Sequence, residues 1–493
     1  MDPFLRKVLQ ESGLSPEVVD RHRQNITSFL AQSEGRFFPI SDTCRLDNSG
    51  VLSLPKDLGE QSDINIVAFV PAAGASTRYV APLADLLSAL ESGSRERCSE
   101  ALKSLREGGF TESPLPRSLK NLFLAEELGK VEDFSSIADE VLRDISAPKA
   151  LYPAVHSGET FLELKRHEHQ RTPGIFGEVY ITPPNQAEIF RKVSERVNSP
   201  IPTRFYEQGL ELSTVRFDRE GQYVLDEHSR PSFVPNGHGA LIRLFSRVGK
   251  DFPGANGVFI RNIDNISGTS EIVRLATARF LTAFKSSLLK LKDLRAAVKA
   301  GNSRVAEAMA LDLMKFWGLK PSSSTDSLTT MIMSLFHTSS SSSGDIQDLL
   351  DRPFVLMGQV PNTGRDVGGS CVFATINGIK QKICLELPHA SAADKQYFLE
   401  NPVKATHFNP VFVAAELPRD DVIHRMENNP FWLISKKTWK GKDVYYQESI
   451  LYELLGSSQF ANVIFVEVPR LVFNPHKTLL DAKNKQFTDW IQG

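Results

Sequence analysis

Ile66-Val67-Ala68-Phe69-Val70-Pro71-Ala72-Ala73-Gly74-Ala75-Ser76-Thr77-Arg78 is the stretch on which the reading of this chain turns. An apolar strand runs straight into a tight loop of small residues. Such a loop leaves backbone N–H groups bare enough to cradle phosphate oxygens. Arg78 adds a fixed positive charge, and Pro148-Lys149-Ala150-Leu151-Tyr152-Pro153-Ala154 offers a second one downstream in Lys149. A strand-to-helix turn also selects Gly and Ala for packing alone. The combination with two cations points to an anionic, phosphate-bearing substrate.

Outward from this stretch, short β-rich runs alternate with helical ones at Ile64–Val70, Val179–Thr182, Val258–Ile260, Phe354–Met357, Ile383–Leu385, Val411–Val413 and Val463–Val468. That alternation predicts an α/β sheet with crossover helices. Residues 1–60 read as a helical N-terminal extension, with Ser15-Pro16-Glu17 as a helix start. Leu281, Phe284, Leu288 and Leu291 step by three and four in a proline-free region and predict an amphipathic core helix whose lysines form a solvated face. Serine-rich patches at 322–324 and 339–343 bracket another helix over 331–336 and read as loops. No linker divides residues 61–493.

The chain has 493 residues, 41% apolar and 24% charged, with a net charge of −2, which argues against a protein that coats nucleic acid. Cys44, Cys98, Cys371 and Cys384 form no CxxC pair and predict free thiols in a reducing cytoplasm. No apolar run approaches the ~18 residues that a membrane helix needs. Met1-Asp2-Pro3-Phe4 does not begin like a signal peptide. The expectation is a cytoplasmic protein with neither nucleic acid nor membrane as partner.

Val258-Phe259-Ile260-Arg261-Asn262-Ile263-Asp264-Asn265 is a strand ending in a carboxylate between amides. Mg2+ is commonly held by one or two carboxylates plus substrate phosphates, which makes Asp264 the metal candidate. Asp264 and Asn265 equally suit a turn. Pro235-Asn236-Gly237-His238-Gly239-Ala240 is a sharp turn that permits close backbone approach. Lys477 follows the proline-stiffened end of Val466-Glu467-Val468-Pro469-Arg470-Leu471-Val472-Phe473-Asn474-Pro475. His167 and His169 fall on different faces of a helix and His156 has no evident partner. Gly364, Gly368 and Gly369 suit a hairpin connection, and Cys371 and Cys384 suit buried thiols.

In order along the chain, Thr77-Arg78, Pro148-Lys149, Gly237-His238-Gly239, Asp264-Asn265, Leu385-Glu386, Phe408-Asn409 and Pro469-Arg470…Pro475-His476-Lys477-Thr478 resemble the UDP-sugar pyrophosphorylases and the wider sugar-nucleotidyltransferase class. The likeness spans roughly 64–485 and its colinearity is more specific than any one motif. Val70-Pro71-Ala72-Ala73-Gly74-Ala75, Asn236-Gly237-His238-Gly239-Ala240-Leu241 and Thr406-His407-Phe408-Asn409-Pro410 are most similar to the pattern of a bacterial family, the DUF4301 domain family.

The resemblance implies a Rossmann-like, GT-A-type mixed sheet with helices on both faces. It implies Mg2+-dependent transfer of a nucleotide from a nucleoside triphosphate to a sugar 1-phosphate, releasing pyrophosphate. Ala72, Ala73, Gly74, Ala75, Ser76, Thr77 and Arg78 would hold the triphosphate, with Lys149 offsetting its charge. Ala73, Gly74, Gly237 and His238 would face the nucleoside, Asp264 would bind Mg2+, Glu386 and Asn409 would read sugar hydroxyls, and Lys477 would hold the sugar phosphate. The alternatives are transfer to a non-sugar phosphate, a glycosyltransferase, and a non-catalytic nucleotide or NDP-sugar binder. Two departures stand out. The usual Gly-rich loop is here Ala-Ala-Gly-Ala-Ser, and 71 residues separate Arg78 from Lys149, implying an insertion at about 79–147. Asp366 and Asp481 are the candidates for a second metal carboxylate.

Overall fold

The computed structural model describes residues 3–32, 37–58, 64–74, 77–127, 134–266, 270–323, 326–338, 346–364 and 369–483. The chain forms two compact units, one from residues 1–67, 208–260 and 279–470 and the other from 68–207, 261–278 and 471–493. Three of the boundaries between these units fall inside the strands Asn65–Pro71 and Ala255–Arg261 and the helix Glu271–Lys299.

In the first unit, Phe354–Pro361 pairs in parallel with Asn462–Glu467, Phe354 opposite Asn462. It pairs antiparallel with Phe412–Glu416 and with the two-residue strand His407–Phe408. Ala255–Arg261 follows next to Phe412–Glu416. Phe354 to Val360 and Asn462 to Val466 are buried throughout, because strands covered on both faces need apolar side chains at every position. The helix Glu271–Lys299 carries Leu281, Phe284, Leu288 and Leu291 in the core, with Phe284 stacked on Phe354 at 5.5 Å between centroids. Arg295 on the same helix makes a bidentate pair with Glu416 at 2.7 and 3.0 Å.

A second, three-stranded antiparallel sheet contains Ile40–Thr43, Ser370–Ile376 and Ile379–Leu385. It corrects three expectations. The helical extension covers only Pro3–Glu11 and Pro16–Gln32, after which Ile40–Thr43 is a strand paired with Ser370–Ile376. Ile383–Leu385 belongs to this small sheet rather than to the larger one. The Gly364–Gly369 connection is no hairpin, since it joins strands of different sheets; Asp366 and Gly368 lie outside the described residues. Val411 was expected in a strand but sits at φ 60°, held there by a bond from its N–H to Asn409 Oδ1, and the strand begins at Phe412.

Trp432–Trp439 and Lys442–Ser449 form a hairpin turned by Lys440 and Gly441, both at positive φ, as a two-residue type I′ turn requires. The helices Pro3–Glu11 and Pro16–Gln32 bury Leu9, Leu14, Val19 and Ile26 against Val215, Phe217 and Tyr445. Ser15 caps the second helix, its Oγ accepting from Val18 N–H at 3.3 Å. Of the serine-rich patches, Ser324 and 339–343 lie outside the described residues, and Leu328–Phe336 between them is helical.

In the second unit the strand order is Asn65–Pro71, Ile175–Thr182, Thr203–Glu207, the last two parallel with Glu178 opposite Thr203. Between Arg78 and Lys149 the described residues are largely helical, with Ala84–Glu91, Arg95–Glu107, Arg117–Glu127 and Phe134–Ile145. Leu83, Leu86, Leu102, Leu119, Leu122 and Val141 pack into one core with Val70, Tyr152, Ile263 and Leu479. Lys149 follows these packed helices on the turn Lys149–Leu151. The helix Phe161–Arg171 opens with a capping box of Thr160 and Glu163, and Lys165, Arg166, Glu168 and His169 are buried on it beside Phe161 and Leu162. Buried charges cost several kcal/mol each unless paired. Their pairing organises the site.

Candidate functional site

The second unit gathers three residues that lie far apart in sequence. Ala255–Arg261 ends and the chain turns through Asn262–Asn265, placing the Asp264 carboxylate where Lys149 Nζ donates to its Oδ2 at 3.0 Å and Lys477 Nζ to the same oxygen at 3.2 Å. Lys149 also donates to the His476 carbonyl and lies 4.7 Å from the centre of the Tyr79 ring and 5.7 Å from that of Phe161. The Lys149 and Asp264 side chains are 11% and 14% exposed; that of Lys477 is 51% exposed.

Two ammonium groups share one carboxylate oxygen, so the cluster of these three carries a surplus positive charge. Burial by itself would raise the Asp264 pKa, but the two lysines outweigh it and hold the carboxyl below the ordinary carboxylate range. Lys149 is pushed below its ordinary value because burial outweighs its half-share of a single counter-ion. Burial and the Lys149 charge push the His476 imidazole down to about 3, so it is neutral here.

The turn that carries Asp264 is held from several sides. Its main chain accepts from His476 N–H at 2.9 Å, and Asn265 Oδ1 accepts from Asn474 N–H at 2.8 Å. The Asn265 carbonyl accepts from both Lys165 and Arg261, while Glu168 pairs with Lys165 at 2.7 Å. Lys165 is fully buried and its pKa falls to about 8 through desolvation, which Glu168 partly offsets. Asp481 Oδ2 accepts from the N–H groups of Lys477 and Thr478, at 2.5 and 2.7 Å. Asp481 therefore shapes the Lys477 turn, with one of its oxygens committed to that task, rather than standing ready as a second metal carboxylate.

Asp264 Oδ1 is buried and has no hydrogen-bond partner among the described residues. An orphaned carboxylate oxygen costs about 1–3 kcal/mol or more. A divalent cation is the ligand that such an oxygen suits. Among the described residues no group of three or more His, Cys, Asp or Glu could hold a metal alone. Asp264 Oδ1 is the one carboxylate oxygen of the cluster that could contribute to a Mg2+ site, and only together with substrate phosphates and water.

Of the small-residue loop, Ala72 is buried and its N–H donates to the Ile181 carbonyl at 2.9 Å, so it extends the sheet and is not free to bind phosphate. Gly74 is exposed, and nothing stands within 4 Å of where a Cβ would lie. Ala75 and Ser76 lie outside the described residues, as do the side chains of Thr77 and Arg78. His167 is 3.6 Å from Glu159, His169 is buried against Glu178 at 2.8 Å, and His156 is exposed.

The first unit holds the remaining candidates. Gly237 has φ 67°, and a Cβ there would come 2.6 Å from the Ser449 carbonyl oxygen; one on Gly239 would come 2.3 Å from Ser449 Cβ. Only glycine allows this approach. Behind Ser449, the short helix Leu451–Leu455 places Tyr452 6.2 Å from His238, ring centre to ring centre, and on its next position Glu453, whose Oε1 accepts from Glu386 N–H at 2.9 Å. One five-residue segment therefore touches both the Gly237-His238-Gly239 turn and Glu386. Asn409 is buried and both ends of its amide are engaged by backbone: Nδ2 donates to the Gly358 carbonyl at 2.9 Å and Oδ1 accepts from Val411. In this structure it ties the segment before Phe412 to the strand Phe354–Pro361.

Sequence reasoning passed over Tyr79, Lys165, Glu168, Arg261, His476, His389 and Glu453. Lys165-x-x-Glu168 inside a run with Phe161, Leu162 and Leu164 leaves no purely polar face, a signal of a buried charged helix. Glu453 sits in a helix too short for periodicity.

The fold that carries this site is shared with the UDP-glucose phosphorylase of Trypanosoma brucei, which aligns over 97% of this chain and 77% of its own, with 15% identity and a TM-score of 0.50. A variant of the UDP-glucose pyrophosphorylase of Leishmania major, in complex with UDP-glucose, aligns over 97% of this chain and 77% of its own, with 13% identity and a TM-score of 0.48. No curated protein matches the sequence. The family described as Domain of unknown function (DUF4301) matches residues 184–487, and the chain belongs to that family.

Proposed function

We propose that this protein is a Mg2+-dependent nucleotidyltransferase that joins a sugar 1-phosphate to a nucleoside triphosphate, forming an NDP-sugar and pyrophosphate. The observation that carries the reading is the Lys149–Asp264–Lys477 cluster, with two ammonium groups on one carboxylate oxygen and the other oxygen buried and orphaned. The shared fold with a UDP-glucose phosphorylase supports it and makes UTP the first triphosphate to test.

A phosphate oxygen of the sugar 1-phosphate attacks the α-phosphorus. The new O–P bond forms as the bond from the α-phosphorus to the bridging oxygen breaks, and pyrophosphate leaves with that oxygen. The nucleophile is already ionised near neutral pH, so no general base is needed, and catalysis rests on alignment and charge neutralisation. Lys477, with its exposed ammonium, meets the incoming phosphate and exchanges its bond to Asp264 for one to a phosphate oxygen. Lys149, anchored by the His476 carbonyl and boxed by Tyr79 and Phe161, stays in place as a fixed positive charge. Asp264 Oδ1 would hold Mg2+, which supplies Lewis-acid stabilisation of the phosphate oxygens when bound. The glycines of the Gly237-His238-Gly239 turn are required by Ser449 packed against them, and a contact of this turn with the nucleoside rests on the motif resemblance.

The test is pyrophosphate release from UTP, and then from the other nucleoside triphosphates, with Mg2+ and a panel of sugar 1-phosphates. Turnover that requires both substrates and falls in Lys477→Ala is expected. Silence across the whole panel overturns the reading.

A further inference from the structure

The carboxyl of Glu386 has neighbours unlike those of any other acidic group in the candidate site. It is largely shielded from water, and no hydrogen bond or ion pair to it exists among the described residues. Gly369 lies against it, a Cβ there being 3.3 Å from Oε1. Two ionisable groups face it, Glu453 from the helix Leu451–Leu455 and His389 from the turn Leu387–His389.

These two are locked together. His389 Nε2 lies 2.9 Å from the Trp432 carbonyl, which can only accept, so Nε2 carries a hydrogen. His389 Nδ1 lies 2.6 Å from Glu453 Oε1, and that short contact needs one proton between them. Whether the proton sits on nitrogen or oxygen, the pair as a whole is neutral. It offers Glu386 no net cation, and Glu453 Oε1 already accepts from the Glu386 main-chain N–H at 2.9 Å. Glu453 Oε2 is itself buried and has no hydrogen-bond partner among the described residues.

We propose that Glu386 meets the ligand as a neutral carboxylic acid, donating a hydrogen bond to an oxygen of the sugar, and that His389 and Glu453 are the positioning pair that keeps it in that form. Burial and Glu453 raise its pKa to about 7, in keeping with this geometry. Glu386 then recognises an oxygen that can only accept, such as a ring oxygen, and binding weakens as Glu386 ionises. The identity of the ligand rests on the nucleotidyltransferase reading; the state of Glu386 does not.

The decisive measurement is therefore made first without ligand. An acid whose folded pKa is raised destabilises the fold progressively as pH climbs from its unfolded value to its folded one. Melting temperatures of wild type and Glu386→Gln should agree near pH ~4, whereas near pH ~8 the Gln variant should melt higher. A difference that is the same at both pH values overturns the proposal. Glu453→Gln removes the like charge and should move the onset of that difference to lower pH. His389→Gln should move it higher, a change that a purely structural residue would not cause. With UTP, Mg2+ and glucose 1-phosphate, KM for the sugar phosphate should rise about tenfold per pH unit above the Glu386 pKa in wild type and stay flat in Glu386→Gln. If no sugar 1-phosphate turns over at any pH, the nucleotidyltransferase reading falls, while the melting comparison still decides the state of Glu386.

Discussion

Asp264 and Glu386 are both shielded carboxyls next to a strand end, and their surroundings drive them in opposite directions. Asp264 faces two lysines and is held ionised, its pKa lowered despite burial. Glu386 faces a carboxylate and a histidine already committed to each other, and its pKa is raised to about 7. Burial acts on both with the same sign, so the neighbours decide. One group is built to stay negative among cations and phosphates. The other is built to lose its charge, and the contrast separates charge handling from shape reading within one protein.

The sharpest way to break this contrast is Asp264→Asn. It removes the negative charge and leaves Lys149 buried with no counter-ion, and pyrophosphate release should fall about 100- to 1,000-fold. Activity retained within a few-fold would remove Asp264 from the chemistry. Lys477→Ala comes next: loss of one charge-assisted bond of about 1.5–3 kcal/mol should cost roughly 10- to 100-fold, mostly in KM for the sugar phosphate. Its side chain is 51% exposed, so the melting temperature should hardly move. A large stability loss with unchanged KM would make Lys477 a structural residue.

Gly237→Ala probes the other region. The new Cβ meets the Ser449 carbonyl at a positive φ, and a loss of about 1–3 kcal/mol is expected in urea unfolding, together with weaker nucleotide binding. Wild-type stability with wild-type binding would show that the turn needs no glycine. The smallest effect concerns acid. Because the folded pKa of Asp264 is lowered, its contribution to stability is present above the ordinary value of 3.8 and is lost as pH falls through the lower folded value. Asp264→Asn should therefore lose less stability than wild type on acidification below that point, as followed by circular dichroism.

Much of the larger sheet was legible because strands covered on both faces write themselves as unbroken apolar runs, as in Ile66–Val70, Val258–Ile260 and Val463–Val466. Thr203–Glu207 and Trp432–Trp439 were not, since partly exposed strands such as Thr-Arg-Phe-Tyr-Glu and Ile-Ser-Lys-Lys-Thr carry polar residues that read equally well as loop. Lys149, Asp264 and Lys477 were each visible from their motifs, yet their meeting on one carboxylate oxygen depends on the helical stretch between Arg78 and Lys149, whose path no spacing rule gives. Asn409 shows the opposite failure. A short amide after an aromatic residue looks like a ligand group, but the same two ends that suit a sugar hydroxyl also suit a strand carbonyl at Gly358 and a turn N–H at Val411. His389 and Glu453 matter through each other, and a pair formed across 64 residues leaves no local mark.

The assembly of the first unit from three separate stretches has a consequence for synthesis on the ribosome. Leu9, Leu14, Val19 and Ile26 emerge first but find their cover in Val215, Phe217 and, last of all, Tyr445. For most of translation the amphipathic N-terminal helices have no home, and their apolar faces stay available to chaperones or to other nascent chains. A ribosome stalled before residue 445 should hold a chain whose opening helices remain open to protease, and release of the finished protein should close them.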